Sequence, residues 1–340
     1  MHRLQRMSAA LIAATLVLAP AATHAQAVVS NGLVSLGVNA NGALNFAGVG
    51  VRYVPTGNDG TVYGCLCEGW GVGVSGGTYN GQRTGANLAS YGTGMFSSGS
   101  IGAFAATPTT ATSTTYLLDG SSNRIMSIVQ TYAPSTSANL YQVTVTLTNL
   151  TTGDLGSGSA GIRYRREMDW DIAPSAFSEF VTIRRGTAAN LLHSSDDGFV
   201  GSDVFSTLGF LCGTYSVDVD ITRSGPCDHG AAFDLGFDAL AAGGSKTFNL
   251  FYGAAGNEAD AKAALGMVGA EVYSIASCNP AANARCTVDG QPNTFAWGFA
   301  GVGGTPIEPS AAPEPATLVL FGTGLAGLGL RGFARRRRSV

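Results

Sequence analysis

The chain has 340 residues, of which 22 are acidic, 19 are basic, 48 are glycine and six are cysteine. Seven of the basic residues but only one acidic residue lie at 1–27 and 313–340, so the body between these segments has 21 acids, 12 bases and a net charge near −9. Phosphate backbones require clustered Lys and Arg, and this acidic body therefore excludes nucleic acid as an expected partner.

Residues 1–27 have the pattern of a secretory signal peptide. Arg3 and Arg6 precede a short apolar run over 9–22, and small residues follow at Ala25 and Ala27. The run is too short for a stable membrane span, and small side chains suit the signal peptidase, so cleavage is predicted at Ala25 or Ala27. A retained N-terminal anchor helix is the alternative.

Residues 28–305 are predicted to form one all-β unit, a large antiparallel β-sandwich with one short helix. A hairpin is predicted between 33–38 and 43–46, because the residues between them have turn chemistry. Alternating apolar and polar residues then predict a half-buried sheet. The predicted strands are 114–118, 124–132, 140–148, 161–171, 180–183, 215–221, 247–252 and 271–275, and the helix, capped by Asn257, covers 257–268.

The charge-rich strand at 161–171 carries the candidate site. Glu167, Asp169 and Asp171 share one face of an extended strand, and Trp170 lies on the opposite face. Three carboxylates could bind Ca²⁺ or act as general acid and base on a sugar, with Trp170 stacking on the ring. No other metal or cofactor is predicted. The alternative is a solvated strand face on which the acids pair with neighbouring arginines: Arg163, Arg165 and Arg166.

All six cysteines lie in the body, and an even number predicts disulfides in an oxidising compartment. Cys65 and Cys67 are close to the spacing limit for a bridge in a flat strand, so they need a turn or other partners. A Cys-x-Cys metal site is less favoured for them, because the body has few histidines. Nearest-neighbour pairing of the remaining four predicts two bridges, Cys212–Cys227 and Cys278–Cys286.

The C-terminal segment has three parts in order. A proline-rich linker at 306–315 contains Pro313, Glu314 and Pro315, whose prolines keep the glutamate in an extended, accessible stretch. The apolar run at 316–334 would reach about 28 Å as a transmembrane helix. Arginines stop this helix and hold the tail at 335–340 in the cytoplasm: Arg331, Arg335, Arg336, Arg337 and Arg338.

This order of Pro-Glu-Pro, apolar run and arginine tail resembles the PEP-CTERM sorting signal of exopolysaccharide-producing Gram-negative bacteria. In that family a membrane enzyme, exosortase, recognises the motif and removes the tail. The resemblance covers about 25 of the 340 residues. It implies exosortase as a partner, an inner-membrane intermediate, and a final location at the cell surface or in the extracellular matrix. An unprocessed C-terminal membrane anchor is the alternative.

Two functions fit these features. The first is a non-enzymatic surface or matrix protein associated with exopolysaccharide or biofilm. The second is a secreted carbohydrate-active enzyme or carbohydrate-binding protein that uses Glu167, Asp169 or Asp171. Converging carboxylates with perturbed pKa values would favour the second function, whereas acids spread over a flat, solvated sheet would favour the first.

Overall fold

A computed structural model describes residues 26–63, 68–86, 95–213 and 217–308. Within these ranges the chain is mostly β-structure, with 19 strands and one helix, and every strand pairing is antiparallel. No helix in this part of the chain is both long and apolar enough to cross a membrane. Residues 1–25 of the predicted signal peptide lie outside the described residues, as do the Pro-Glu-Pro motif, the predicted transmembrane helix, the arginine tail, Cys65 and Cys67.

The largest sheet has nine strands. From one edge to the other they are β15 (Ile221–Cys227), β13 (Glu179–Arg184), β18 (Val272–Ser277), β19 (Thr294–Ala300), β17 (Ser245–Ala255), β11 (Leu140–Asn149), β10 (Arg124–Pro134), β9 (Ala111–Leu118) and β8 (Gly99–Ala106). Side chains in β9, β10 and β11 alternate between buried and partly exposed, as the sequence pattern predicts. Hydroxyl pairs such as Thr146 with Thr247 line the outer face.

A six-stranded sheet packs against the first. Its strands are β14 (Leu191–Ser195), β16 (Gly230–Phe237), β12 (Ile162–Asp169), β5 (Glu68–Val74), β6 (Arg83–Ala86) and β7 (Phe96–Ser97). Tyr164 meets Phe248 with ring centroids 4.9 Å apart, and Phe233 meets Trp297 at 5.0 Å, so aromatic rings fill the space between the two sheets. This arrangement is β-sandwich-like.

The outer face of the six-stranded sheet is also covered, by the segment at 198–205. Glycines at alternate positions of β5 allow this close approach, because a Cβ on Gly71 would overlap the carbonyl oxygen of Ser202. A Cβ on Gly69 would lie 2.5 Å from the Ser202 hydroxyl, and one on Gly73 would lie 2.6 Å from Val204. Residues of β5 and β16 are therefore buried on both faces.

A four-stranded sheet is formed by β1 (Ala27–Ser30), β2 (Val34–Val38), β3 (Val51–Tyr53) and β4 (Asn58–Asp59). The predicted hairpin between 33–38 and 43–46 is wrong, because β2 pairs with β1 and β3 instead. The chain does turn at Gly42, where φ is +77°. It turns again at Asn45 and Ala47, which adopt positive φ values of 76° and 53°, before β3 begins.

The single described helix, α1 (Glu258–Met267), is confirmed where the sequence predicts it. Asn257 caps it by accepting a hydrogen bond from the backbone N–H of Asp260 at 2.9 Å. Ala264 and Leu265 pack on the side of the nine-stranded sheet that faces away from the aromatic core, against residues such as Phe251. The helix therefore covers the largest sheet from outside.

The strand predicted at 215–221 is wrong over its described part, because 217–220 forms a turn and β15 begins at Ile221. Asp218 has a φ of 65° there. Its carboxylate accepts the backbone N–H of Ser194 at 2.8 Å and binds Arg185 Nη1 at 2.5 Å. These bonds fix a turn where the alternation of valine and aspartate suggested an exposed strand.

Candidate functional site

The three acids predicted as site residues are all buried. Glu167, Asp169 and Asp171 are 3%, 2% and 0% exposed. Glu167 and Asp169 lie on the outer face of β12, under the covering segment, where Glu167 accepts a hydrogen bond from Ser202 Oγ at 2.9 Å. The alternative interpretation, a solvated strand face, is therefore wrong.

Two of the three arginines of β12 bind other acids instead, and the guanidinium of the third, Arg163, lies 5.4 Å from the centroid of the Phe205 ring. Arg165 forms two hydrogen bonds to Asp234, from Nε at 2.6 Å and from Nη2 at 2.7 Å. Arg166 is buried on the core-facing side of the strand, where its Nε binds Glu68. The predicted pairing of these arginines with the three candidate acids is not what the structure shows.

Glu68 and Arg166 form the centre of a polar network between the sheets. Besides Arg166, the carboxylate of Glu68 accepts the Tyr252 hydroxyl at 2.9 Å and the backbone N–H of Leu44 at 2.8 Å. Arg166 Nη1 also donates to Gln130 Oε1 at 2.5 Å. Opposite charges and hydrogen bonds thus satisfy this buried group from within the protein.

A cluster of carboxylates lies where β12 ends. Asp169 is the last residue of β12, Asp171 follows two residues later, and Asp228 comes from the turn between β15 and β16. One carboxylate oxygen from each lies within 4.8 Å of those from the other two, and only Asp228 is exposed. Asp169 Oδ1 has no hydrogen-bond partner among the described residues. We refer to these three residues as the carboxylate cluster.

Burial and mutual repulsion raise the pKa values in this region. Burial is the largest cause, and neighbouring acids add to it: Asp228 raises the pKa of Asp169, to about 7, and Asp169 raises that of Asp171, to about 8. The pKa of Glu179, the first residue of β13, rises to about 9 through burial and the charges of all three cluster members. Burial also raises the pKa of Glu167 to about 8.

Trp170 does not face a ligand site. It is fully buried on the core side, where its Nε1 donates to Ser274 Oγ at 3.0 Å and its ring packs near Phe295. The predicted stacking of Trp170 on a sugar ring is therefore wrong, because the indole belongs to the aromatic core.

A second group of polar side chains lies near the same turn. Cys212, Cys227 and His229 have potential ligand atoms within 4.8 Å of one another. The two thiols are not linked, and burial together with Cys212 raises the pKa of Cys227 to about 12.

The predicted Cys212–Cys227 bridge stays a prediction. The Cys278–Cys286 bridge is confirmed, with Cα atoms 5.7 Å apart.

Two surface cavities do not contain the carboxylate cluster. One, of about 230 Å³, is lined by residues that include Arg163, His193 and Asp218. The other, of about 380 Å³, lies between α1 and the start of β2. The cluster is buried except at Asp228, through which it reaches solvent.

Sequence reasoning missed Glu179, Asp228 and His229 as possible site residues. They approach the end of β12 from other strands and turns, so no spacing along the chain connects them to Asp169. The only local signal is the run Cys227-Asp228-His229, three consecutive residues with metal-binding side chains.

No family model matches this chain, and no curated protein is similar enough to count as a relative. Among solved structures, the chain is similar to an aldose 1-epimerase-like protein from Escherichia coli K12, with 12% identity and a TM-score of 0.35. The alignment covers 85% of this chain and 94% of that one. At this TM-score the similarity supports no conclusion about the function of the chain.

Proposed function

We propose that the chain is an exported, non-enzymatic protein of the cell surface or extracellular matrix, whose carboxylate cluster binds Ca²⁺. Export and exosortase processing are supported by the sequence of the two ends. Cation binding is supported by one observation: Asp169 is almost completely buried with Oδ1 unpartnered among the described residues, and carboxylate oxygens of Asp171 and Asp228 lie within 4.8 Å.

The dimensions of the cluster suit one calcium ion. Calcium binds oxygen ligands at about 2.3–2.6 Å, so two oxygens on opposite sides of one ion are about 5 Å apart. The three carboxylates of the cluster are closer together than this limit. Burying like charges without a counter-ion is costly, and a divalent cation would remove that cost.

Asp228 gives the cluster an opening to solvent, because it is the exposed member. An ion bound there would keep coordination positions for oxygen atoms from outside the protein. The body is acidic, with a net charge near −9, and would repel an acidic exopolysaccharide. A bound Ca²⁺ would offset that repulsion locally, which links the cluster to the proposed matrix role.

Calcium binding is tested with Ca²⁺ alone as the probe, by titration calorimetry on the intact chain after chelator treatment. We expect binding to the parent protein and a loss of affinity of at least about tenfold in Asp169→Asn, because the substitution removes one buried charge. Asp154→Asn is the matched control, since Asp154 is an exposed acid in the β11–β12 loop. A parent protein that does not bind Ca²⁺, or an Asp169→Asn variant that binds it equally well, contradicts this proposal.

Sorting is tested by replacing Glu314 with Gln in the native host and following removal of the C-terminal tail by mass. We expect the tail to be retained in Glu314→Gln and removed in the control Glu308→Gln, which changes an acid in the same linker but outside the motif. Unchanged processing of Glu314→Gln would count against exosortase recognition.

A carbohydrate-active enzyme is the second candidate. The observation in its favour is the group of converging carboxyls with unequal pKa values, about 9 for Glu179 and about 7 for Asp169, because a general acid and a general base need such a difference. Release of reducing sugar from host exopolysaccharide by chelator-treated protein, lost in Glu179→Gln, would favour this function over cation binding.

A further inference from the structure

The turn between β15 and β16 carries ligands of a second kind. Cys227 ends β15, and His229 lies two residues later, directly before β16. Cys212 comes from the connection between β14 and β15, and its sulfur, the Cys227 sulfur and an imidazole nitrogen of His229 lie within 4.8 Å of one another. Two sulfur ligands and one nitrogen ligand are thus gathered from separate parts of the chain.

His229 has one ring nitrogen bound and the other without a partner. The residue is fully buried, and its Nδ1 lies 3.0 Å from Asp196 Oδ2. A carboxylate facing Nδ1 favours the tautomer with the proton on Nδ1, which leaves Nε2 with a lone pair. Nε2 is buried and has no hydrogen-bond partner among the described residues. A buried, unsatisfied acceptor is costly, which indicates a missing ligand.

Asp196 holds both the histidine and one of the cysteines. Its carboxylate is buried and accepts the backbone N–H of Leu211 at 2.9 Å and of Cys212 at 3.0 Å, in addition to the His229 ring. A carboxylate that orients a metal-binding histidine is a recurrent feature of metal sites. Here the same carboxylate also positions Cys212, so the ligands are held in place before any metal arrives.

We propose that Cys212, Cys227 and His229 form a Zn²⁺ site. Zinc prefers thiolate and imidazole ligands, whereas Ca²⁺ prefers oxygen, so this site and the carboxylate cluster would take different metals. In a tetrahedral zinc site neighbouring ligand atoms are about 3.5–3.8 Å apart, so small side-chain rotations would close the present arrangement around one ion. Binding converts two thiols to thiolates and releases two protons to solvent, with no change of oxidation state.

A disulfide between Cys212 and Cys227, which the sequence predicts, would explain the position of the two cysteines but not that of His229. It would join Cys212 to Cys227 but leave His229 Nε2 buried without a partner. A metal ion would satisfy all three side chains at once. With three protein ligands among the described residues, a fourth position remains for water or another ligand, and Cys227 is only partly buried at that site.

The test is the metal content of the intact chain, purified from its host without chelator. We expect one zinc per chain by elemental analysis, lost in His229→Gln and retained in His193→Gln. His193 is a suitable control because it is partly exposed and binds Asp218 instead. Asp196→Asn should weaken zinc affinity about 10–100-fold, as loss of a partner that orients a ligand does.

A spectroscopic measurement on the unsubstituted protein covers the case in which His229→Gln does not fold. Replacing zinc with Co²⁺ should give sulfur-to-cobalt charge-transfer bands and the visible bands of a tetrahedral site. A chain without zinc and without these bands, in which Cys212 and Cys227 are recovered as a disulfide-linked peptide, would overturn the proposal. Asp169→Asn should leave zinc content unchanged, so failure of the calcium site and failure of the zinc site are distinguishable.

Discussion

Two groups on opposite faces of β12, around Arg166 and around Asp169, bury charge in opposite ways. On the core side, Arg166 and Glu68 neutralise each other, and hydroxyl and amide groups complete their hydrogen bonds. At the outer side, Asp169 meets Asp171 and Asp228, which carry the same charge. The charges of the first group are neutralised within the protein, whereas those of the second are neutralised only by protons or a cation from solvent. A buried charge therefore marks a ligand site only when the protein does not supply its partner.

The largest expected effect is on the core side. Arg166→Met should lower the free energy of unfolding by about 3–5 kcal/mol, because Glu68 would remain buried without its counter-charge. Urea unfolding measures this loss. The double variant Arg166→Met with Glu68→Gln should recover part of it, since the unpaired charge is gone. A loss of less than about 1 kcal/mol in the free energy of unfolding of Arg166→Met would show that Glu68 does not depend on Arg166 as its counter-charge.

Calcium bound at the carboxylate cluster should stabilise the protein by less than the loss expected in Arg166→Met. At a free concentration of 100 times Kd, Ca²⁺ should raise the free energy of unfolding by about 2.7 kcal/mol. Asp228→Asn should reduce this gain without affecting stability in chelator, because Asp228 is the exposed member of the cluster. Thermal unfolding with and without Ca²⁺ checks both points. If Ca²⁺ raised the free energy of unfolding equally in the parent protein and in Asp228→Asn, Asp228 would be excluded as a ligand.

A third expected effect is a pH dependence of the metal-free protein. The pKa of Glu167 is raised to about 8 in the folded state, against about 4 when unfolded, so the folded state binds more protons between these values. Stability is therefore full below pH 4 and is lost as pH rises toward 8, by up to about 1.4 kcal/mol per pH unit for one group. Glu167→Gln should reduce this slope in urea titrations, and Asp154→Asn should not.

Features set by local sequence were predictable. Strands β9 to β11 follow from alternation of apolar and polar residues, α1 from its Asn257 cap, and the Cys278–Cys286 bridge from the short loop between the cysteines. Burial of the acids was not predictable, because it depends on contact between β12 and the distant segment at 198–205. The failed hairpin has a different cause: the chain turns again at Asn45 and Ala47, and the positive φ value of Ala47 is one that its residue type does not signal.

The candidate site was half predictable for a similar reason. Asp169 and Asp171 are two residues apart, so strand geometry alone placed them together. Asp228 reaches them from the turn after β15 and Glu179 from β13, and only the sheet topology brings these elements near. The sequence does not link His229 to a site, since its carboxylate partner Asp196 lies 33 residues away.

The glycines of β5 determine how polar the surroundings of Glu167 are. Because Gly69, Gly71 and Gly73 have no side chains, the segment at 198–205 lies directly on the sheet and excludes water from the carboxyls beneath it. An alanine at position 71 would push that segment outward and let solvent in, which would raise the local dielectric constant. The acidity of Glu167 thus depends on three glycines of the neighbouring strand, because they let the segment at 198–205 lie close enough to exclude water.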